Sequence, residues 1–172
     1  MRVPVTEAEA VTTARRRLAS ATVWRDDRLA TLAWWSDADL LAALGPGLAA
    51  MATTIGPPPT VVAGVQSSGY LLAPLVAVEL GVGMLGIQKL TGPDHITLAT
   101  DVDALSPHDR VLLVDDVLET AAQARAVRDL VRSRGAALSG VAVLVAYRRV
   151  PDLDVTALWG VDELYRHAHP PA

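Results

Sequence analysis

The segment Arg110-Val-Leu-Leu-Val-Asp115-Asp116-Val-Leu-Glu119-Thr120-Ala-Ala-Gln123 carries more structural information than any other in the 172-residue chain. Val111 to Val114 is a short apolar run containing two β-branched residues, and its length suits a buried strand better than a helix. The run is expected to end at the carboxylate pair Asp115-Asp116. From Ala121 to Arg134 apolar and charged residues recur at helical spacing, and Gly135 supplies the stop. Strand, polar turn and amphipathic helix in that order form the unit from which parallel sheets are built.

The same alternation extends in both directions. Upstream, Val61–Val65 predicts a buried strand, Gln66–Gly69 a polar turn and Tyr70–Leu80 a helix. A further strand is predicted near Gly83–Gln88 and a short one at Ile96–Ala99, after the turn Thr91-Gly92-Pro93-Asp94. Pro107-His108-Asp109 turns the chain into the strand at Val111. Downstream, Leu138–Ala146 and Val155–Trp159 predict two more strands. The fold class is therefore α/β, with a mainly parallel, Rossmann-like central sheet flanked by helices. Residues 1–59 read as a helical cap and linker of the same domain, and residues 60–172 as the α/β core with its C-terminal strand. In the cap, Thr6 and Glu9 have capping-box spacing ahead of a helix reaching about Ala21. A second helix follows Ser36, runs to Met51 and is expected to bend or break at Gly45-Pro46-Gly47. Pro57-Pro58-Pro59 is a stiff spacer.

Composition narrows the function. A chain of this length buries about 70% of the surface its unfolded form exposes, enough for one self-sufficient core. Half the residues are hydrophobic (51%), yet Phe is absent and only four Trp and three Tyr occur, so Ala, Leu and Val build the interior. Fifteen basic against nineteen acidic residues give a net charge of −4, the opposite of the usual nucleic-acid footprint. No cysteine is present, which removes disulfides, thiolate nucleophiles and Cys-ligated zinc. The N-terminal residues do not read as a signal peptide, and the apolar region Val61–Leu90 is broken by Gln66, Ser67, Ser68 and Glu79, so no membrane partner and a cytoplasmic location are expected.

Ligands of open parallel sheets bind at the carboxyl ends of strands. Three polar segments occupy such ends: Gln66-Ser67-Ser68-Gly69, Gln88-Lys89, and Asp115 to Gln123. Adjacent carboxylates at a strand end repel each other and lose solvation unless they hold hydroxyls or a cation. The helix opening behind them presents free N–H groups, which suit a phosphate. Taken singly, Asp116 or Thr120 can also be read as ordinary helix-cap chemistry, the less favoured reading of the two. A receiver-type acidic pair is excluded by order, because the only lysine, Lys89, precedes the pair.

Val111-Leu-Leu-Val-Asp-Asp-Val-Leu-Glu-Thr120 resembles the phosphoribosyl-pyrophosphate (PRPP) binding motif of the type I phosphoribosyltransferases. The stretch Val62 to Lys89 is similar to the corresponding region of adenine phosphoribosyltransferase-like members. The resemblance covers roughly residues 60–160. It implies that Asp115 and Asp116 accept hydrogen bonds from the ribose hydroxyls, directly or through Mg²⁺, and stabilise positive charge at the anomeric carbon. It implies that Thr120, Ala121, Ala122, Gln123 and Ala124 wrap the 5′-phosphate. Gln66, Ser67, Ser68, Gly69 and Lys89 would hold the pyrophosphate. Glu119 would be an acid or base facing the acceptor. The implied reaction transfers 5-phosphoribosyl from PRPP to a purine or related base, with Mg²⁺, in a homodimer to which the apolar Tyr70–Met84 segment contributes.

Departures from the family pattern support an alternative, a PRPP- or nucleotide-binding sensor or inactive paralogue. Gln66-Ser67-Ser68-Gly69 stands where adenine-type members have Glu-x-Arg-Gly, and Thr-Ala-Ala-Gln where they have Thr-Gly-Gly-Thr. The Cβ of an alanine is unfavourable wherever a glycine position needs positive φ. Only fifteen residues separate Lys89 from Leu105, short for a closing loop, and no Phe-Arg-Asp-like segment is evident in the N-terminal part. Trp34-Trp35 reads as core more readily than as a base platform.

Overall fold

The computed structural model of the chain describes residues 6–91 and 96–170. Helix α1 (Glu7–Ala21) leads into a hairpin of β1 (Val23–Arg25) and β2 (Arg28–Ala30), a 3-10 turn (Thr31–Ser36) and helix α2 (Ala38–Ala52). The sheet unit follows as β3 (Val61–Val65), α3 (Ser68–Leu80), β4 (Gly83–Thr91), β5 (Ile96–Ala99), β6 (Arg110–Leu118), α4 (Ala122–Ser133), β7 (Ala137–Ala146), β8 (Val155–Gly160) and α5 (Val161–Ala168). The six-stranded sheet has the order β5-β4-β3-β6-β7-β8. All neighbours in it are parallel except β5, which folds back antiparallel on β4. Of the turn predicted between those two strands, residues 92–94 lie outside the described part. No helix among the described residues is long and apolar enough to cross a membrane.

Period-two alternation divides the sheet's side chains between two cores. Val62, Leu112, Val114, Ala142 and Leu144 face α1, α2 and α3, whereas Ala63, Val65, Leu113, Val141 and Val143 face α4 through Val127 and Val131. Both faces are covered, as a parallel sheet requires. Trp34 is fully buried in the first core, and its indole N–H donates to Thr22 Oγ1 at 3.2 Å. The Trp pair is therefore packing rather than a ligand platform, since Trp35 lies against the same cluster.

The capping box at Thr6 and Glu9 forms as expected, with both reciprocal hydrogen bonds. Three expectations need correction. Strand β6 does not end at the acidic pair: it runs on to Leu118, because β7 is long enough to pair Asp115 with Val143, Val117 with Val145 and Leu118 with Ala146. Helix α2 is continuous through Pro46. Proline removes one helical hydrogen bond, but the helix is held from outside: a Cβ at Gly47 would lie 2.4 Å from the Ala14 Cβ, so α1 and α2 cross in close contact there. Helix α3 starts at Ser68, two residues before its predicted start. The β1–β2 hairpin and α5 add to the predicted elements. The hairpin turns on Asp26 and Asp27, both at positive φ (48° and 57°), a conformation aspartate tolerates better than most residues.

Candidate functional site

The carboxyl ends of β3, β4 and β6 converge, as parallel neighbours must. Beyond β3 the chain doubles back within van der Waals distance of the strand it has left. A Cβ on Gly64 would fall 2.2 Å from the Gly69 carbonyl oxygen, and one on Gly69 would fall 3.2 Å from the Val114 oxygen. The two glycines thus let the 66–69 loop lie flat against β6, beside the acidic pair. The Gln66–Ser67 peptide is cis. Gln66 joins the loop to β4 twice: its N–H donates to the Ile87 carbonyl (2.9 Å) and its Oε1 accepts from the Lys89 N–H (3.2 Å).

Asp115 is the hub of the site. Its Oδ1 accepts from Ser68 Oγ (3.2 Å) and from the Asp116 N–H (3.0 Å), and its Oδ2 accepts from Gln123 Nε2 at 2.5 Å. One carboxylate therefore ties together the loop after β3, the end of β6 and the first turn of α4. Desolvation of this half-buried group and the charge of Asp116 push its pKa up to about 7, against the partial relief of the Asp116 and Ser68 donors. Asp116 Oδ1 accepts from the Val117 N–H (2.8 Å).

Between β6 and α4 the chain turns through Ala121 at φ 61°, ψ 7°, the left-handed region. One of the two alanines in the Thr-Ala-Ala-Gln stretch thus occupies a position that favours glycine. The Ala122 N–H lies 3.4 Å from Thr120 Oγ1, and the first α4 backbone bond runs from Arg125 N–H to the Ala121 carbonyl (2.9 Å). The amides ahead of Arg125 belong to the open end of the helix, where anions bind. Arg125 and Arg128 both bind Asp152, fixing α4 to the loop between β7 and β8.

These elements enclose a cleft of about 430 Å³. Of the residues singled out in the sequence, Ser68, Lys89, Asp115, Asp116, Glu119, Thr120, Ala121, Gln123 and Ala124 line it. Gln66, Ser67, Gly69 and Ala122 do not: Gln66 and Gly69 shape the loop behind the wall, Ser67 accepts the Tyr70 N–H at its carbonyl (3.1 Å), and Ala122 points outward. Sequence reasoning missed Leu29, in β2, and Thr31, at the start of the 3-10 turn, which also line it. It also missed a second cleft of about 520 Å³ that shares Leu29, Glu119 and Thr120 with the first and adds Asp27, Arg28, Tyr147 and Arg148. Burial and the nearby Glu119 charge raise the Tyr147 hydroxyl's pKa. The available signal was the polar Tyr147-Arg148-Arg149 directly after an apolar strand, the same strand-end rule that located the acidic pair.

No family model matches the chain. Its curated relatives include the adenine phosphoribosyltransferase of Nocardioides, 40% identical over 103 residues (52% of this chain, 56% of the relative). The Streptomyces coelicolor enzyme of the same name is 34% identical over 123 residues (64% of this chain, 66% of the relative). The chain thus spans less than two thirds of these relatives' length. Among solved structures, adenine phosphoribosyltransferase from Trypanosoma brucei superposes with a TM-score of 0.74 at 18% identity, covering 92% of this chain and 84% of that one. The Rhodothermus marinus protein superposes with a TM-score of 0.71 at 23% identity, covering 87% and 99%. The chain is thus similar in sequence, over roughly half to two thirds of its length, to curated adenine phosphoribosyltransferases, and it shares the fold of solved ones.

Proposed function

We propose that the protein transfers the 5-phosphoribosyl group of PRPP to a purine or related base, adenine being the first to test, and releases pyrophosphate. The observation that carries this reading is the convergence on one cleft of the acidic pair, the open end of α4, Ser68 and Lys89. In this reading the amides of residues 120–124 hold the 5′-phosphate, with Thr120 adding a hydroxyl. Asp116, and Asp115 once freed of its internal partners, receive the ribose hydroxyls and favour positive charge as the bond to the leaving group breaks. The loop 66–69 and Lys89 neutralise the departing pyrophosphate. Glu119, between the two clefts, faces the acceptor and is placed to take or give its proton.

The donor set fits magnesium carried in on PRPP better than a resident ion. Among the described residues no group of three or more His, Asp or Glu is placed to hold a metal, and Asp115 already accepts three hydrogen bonds. Asp115 and Asp116 would touch such an ion directly or through water, and its chemistry would be to offset pyrophosphate charge. The outer face of α3 exposes Leu71 (48%) and Val78 (78%) about two turns apart on one stripe, and this face suits pairing with a second copy. A cytoplasmic setting and small-molecule partners, without nucleic acid or membrane, accord with the reading.

Two observations favour a second reading, binding without turnover: the left-handed Ala121 and the Gln123 amide already seated on Asp115. A coupled pyrophosphate-release assay over a panel of bases separates the two. Release with at least one base supports the transferase, and PRPP binding with no release for any base supports the sensor.

A further inference from the structure

We propose that Gln123 gates the ribose site: its side-chain amide occupies the Asp115 oxygen that a ribose hydroxyl would take, so a ligand's diol competes with it for that carboxylate. This rests on the reading of the cleft as a phosphoribosyl site. A carboxylate offers about four acceptor positions. In Asp115 two contacts converge on Oδ1, and both come from fixed groups, Ser68 Oγ at 3.2 Å and the Asp116 N–H at 3.0 Å. Oδ2 is the oxygen left for a ligand, and Gln123 Nε2 holds it at 2.5 Å, the shortest of the three contacts. A hydroxyl arriving at Oδ2 therefore exchanges one hydrogen bond for another. Both residues lie on the cleft wall, so the exchange happens where the ligand sits. Asp116 Oδ1 accepts from the Val117 N–H at 2.8 Å and lies beside the Asp115 carboxyl.

Gln123 lies in the first turn of α4 on the cleft wall, so its amide, rotated off Asp115, trades the carboxylate for water. A ligand carrying both phosphate and diol moves the gate, whereas a phosphate without a diol leaves it closed.

The test compares ribose 5-phosphate with tetrahydrofurfuryl phosphate, the same ring and phosphate without hydroxyls, by calorimetry on the full chain. The quantity read is the affinity ratio between the two ligands in wild type, Gln123→Ala and the volume-keeping Gln123→Met. The gate predicts a small ratio for wild type and a rise of about tenfold in both variants, since the diol then meets an oxygen that no side chain holds. A purely structural role would weaken both ligands together and leave the ratio unmoved, which overturns the inference while leaving the phosphoribosyl reading intact. Loss of ribose 5-phosphate binding in both variants, with PRPP still bound by wild type, also overturns it. If neither PRPP nor ribose 5-phosphate binds any form, the reading of the cleft falls and the gate with it.

Discussion

Replacing Asp115 by asparagine should stabilise the protein in alkaline solution while weakening its ligand binding. Asparagine keeps the geometry: its oxygen still accepts from Ser68 and the Asp116 N–H, and its amide donates to Gln123 once that side chain turns its own oxygen inward. What disappears is the cost of ionising a desolvated carboxyl next to Asp116. The native state keeps the Asp115 proton up to about pH 7, whereas the unfolded chain releases it near 3.8. Between those values the folded form binds more protons, so wild-type stability falls as pH rises, and the full cost is present above the native pKa. A carboxyl moved that far costs about 4 kcal/mol when ionised, of which about 2 to 3 kcal/mol is incurred between pH 5 and pH 8. Urea unfolding of wild type and Asp115→Asn at the two pH values measures it directly. The variant should gain on wild type by about 2 kcal/mol over the interval, while its PRPP affinity drops at least about tenfold through loss of a charged acceptor. A stability difference that stays constant from pH 5 to pH 8 would refute the placement of Asp115 as a desolvated, partly neutral carboxyl.

The rest of the site makes further demands. Gly64→Ala puts a methyl 2.2 Å from the Gly69 carbonyl, and the resulting shift of loop or strand should lower stability by about 3 kcal/mol in thermal or urea unfolding. At Ala121, glycine relieves a left-handed conformation costing about 1–2 kcal/mol but gives up a buried methyl worth about 0.8 kcal/mol, whereas valine adds β-branching. Melting temperatures should therefore rank glycine at or above alanine and both well above valine. Lys89→Met should weaken pyrophosphate binding about tenfold at low salt and less at high salt, as read by calorimetry at two ionic strengths. Val78→Glu, on the exposed face of α3, should shift sedimentation from dimer toward monomer without changing the melting curve of the separated chain.

The parts of this fold legible in the sequence were those governed by local periodicity and by order. Val61–Val65 was read to the residue, and the acidic pair fell at the mouth of the cleft because strand-end position follows from parallel topology alone. The extension of β6 to Leu118 was not legible, since it depends on how far β7 runs alongside. The continuity of α2 through Pro46 was hidden for the same reason: the contact of Gly47 with Ala14 that secures it is made between helices. Leu29 and Thr31 reach the cleft only because Asp26 and Asp27 turn the chain back, and an Asp-Asp turn lacks the Asn-Gly or Asp-Gly signal of a tight hairpin. Sequence comparison flagged the alanines as departures, and the structure shows which one matters for the backbone, Ala121.

The central claim is that this cleft recognises the ribose and phosphates of PRPP through the acidic pair, and it is tested most directly by calorimetric titration of PRPP with magnesium into wild type and the Asp115→Asn, Asp116→Asn double variant. The account predicts saturable binding by wild type at one site per chain and its loss in a double variant that remains folded. Absence of PRPP binding by wild type, or binding of equal strength in both proteins, would contradict it.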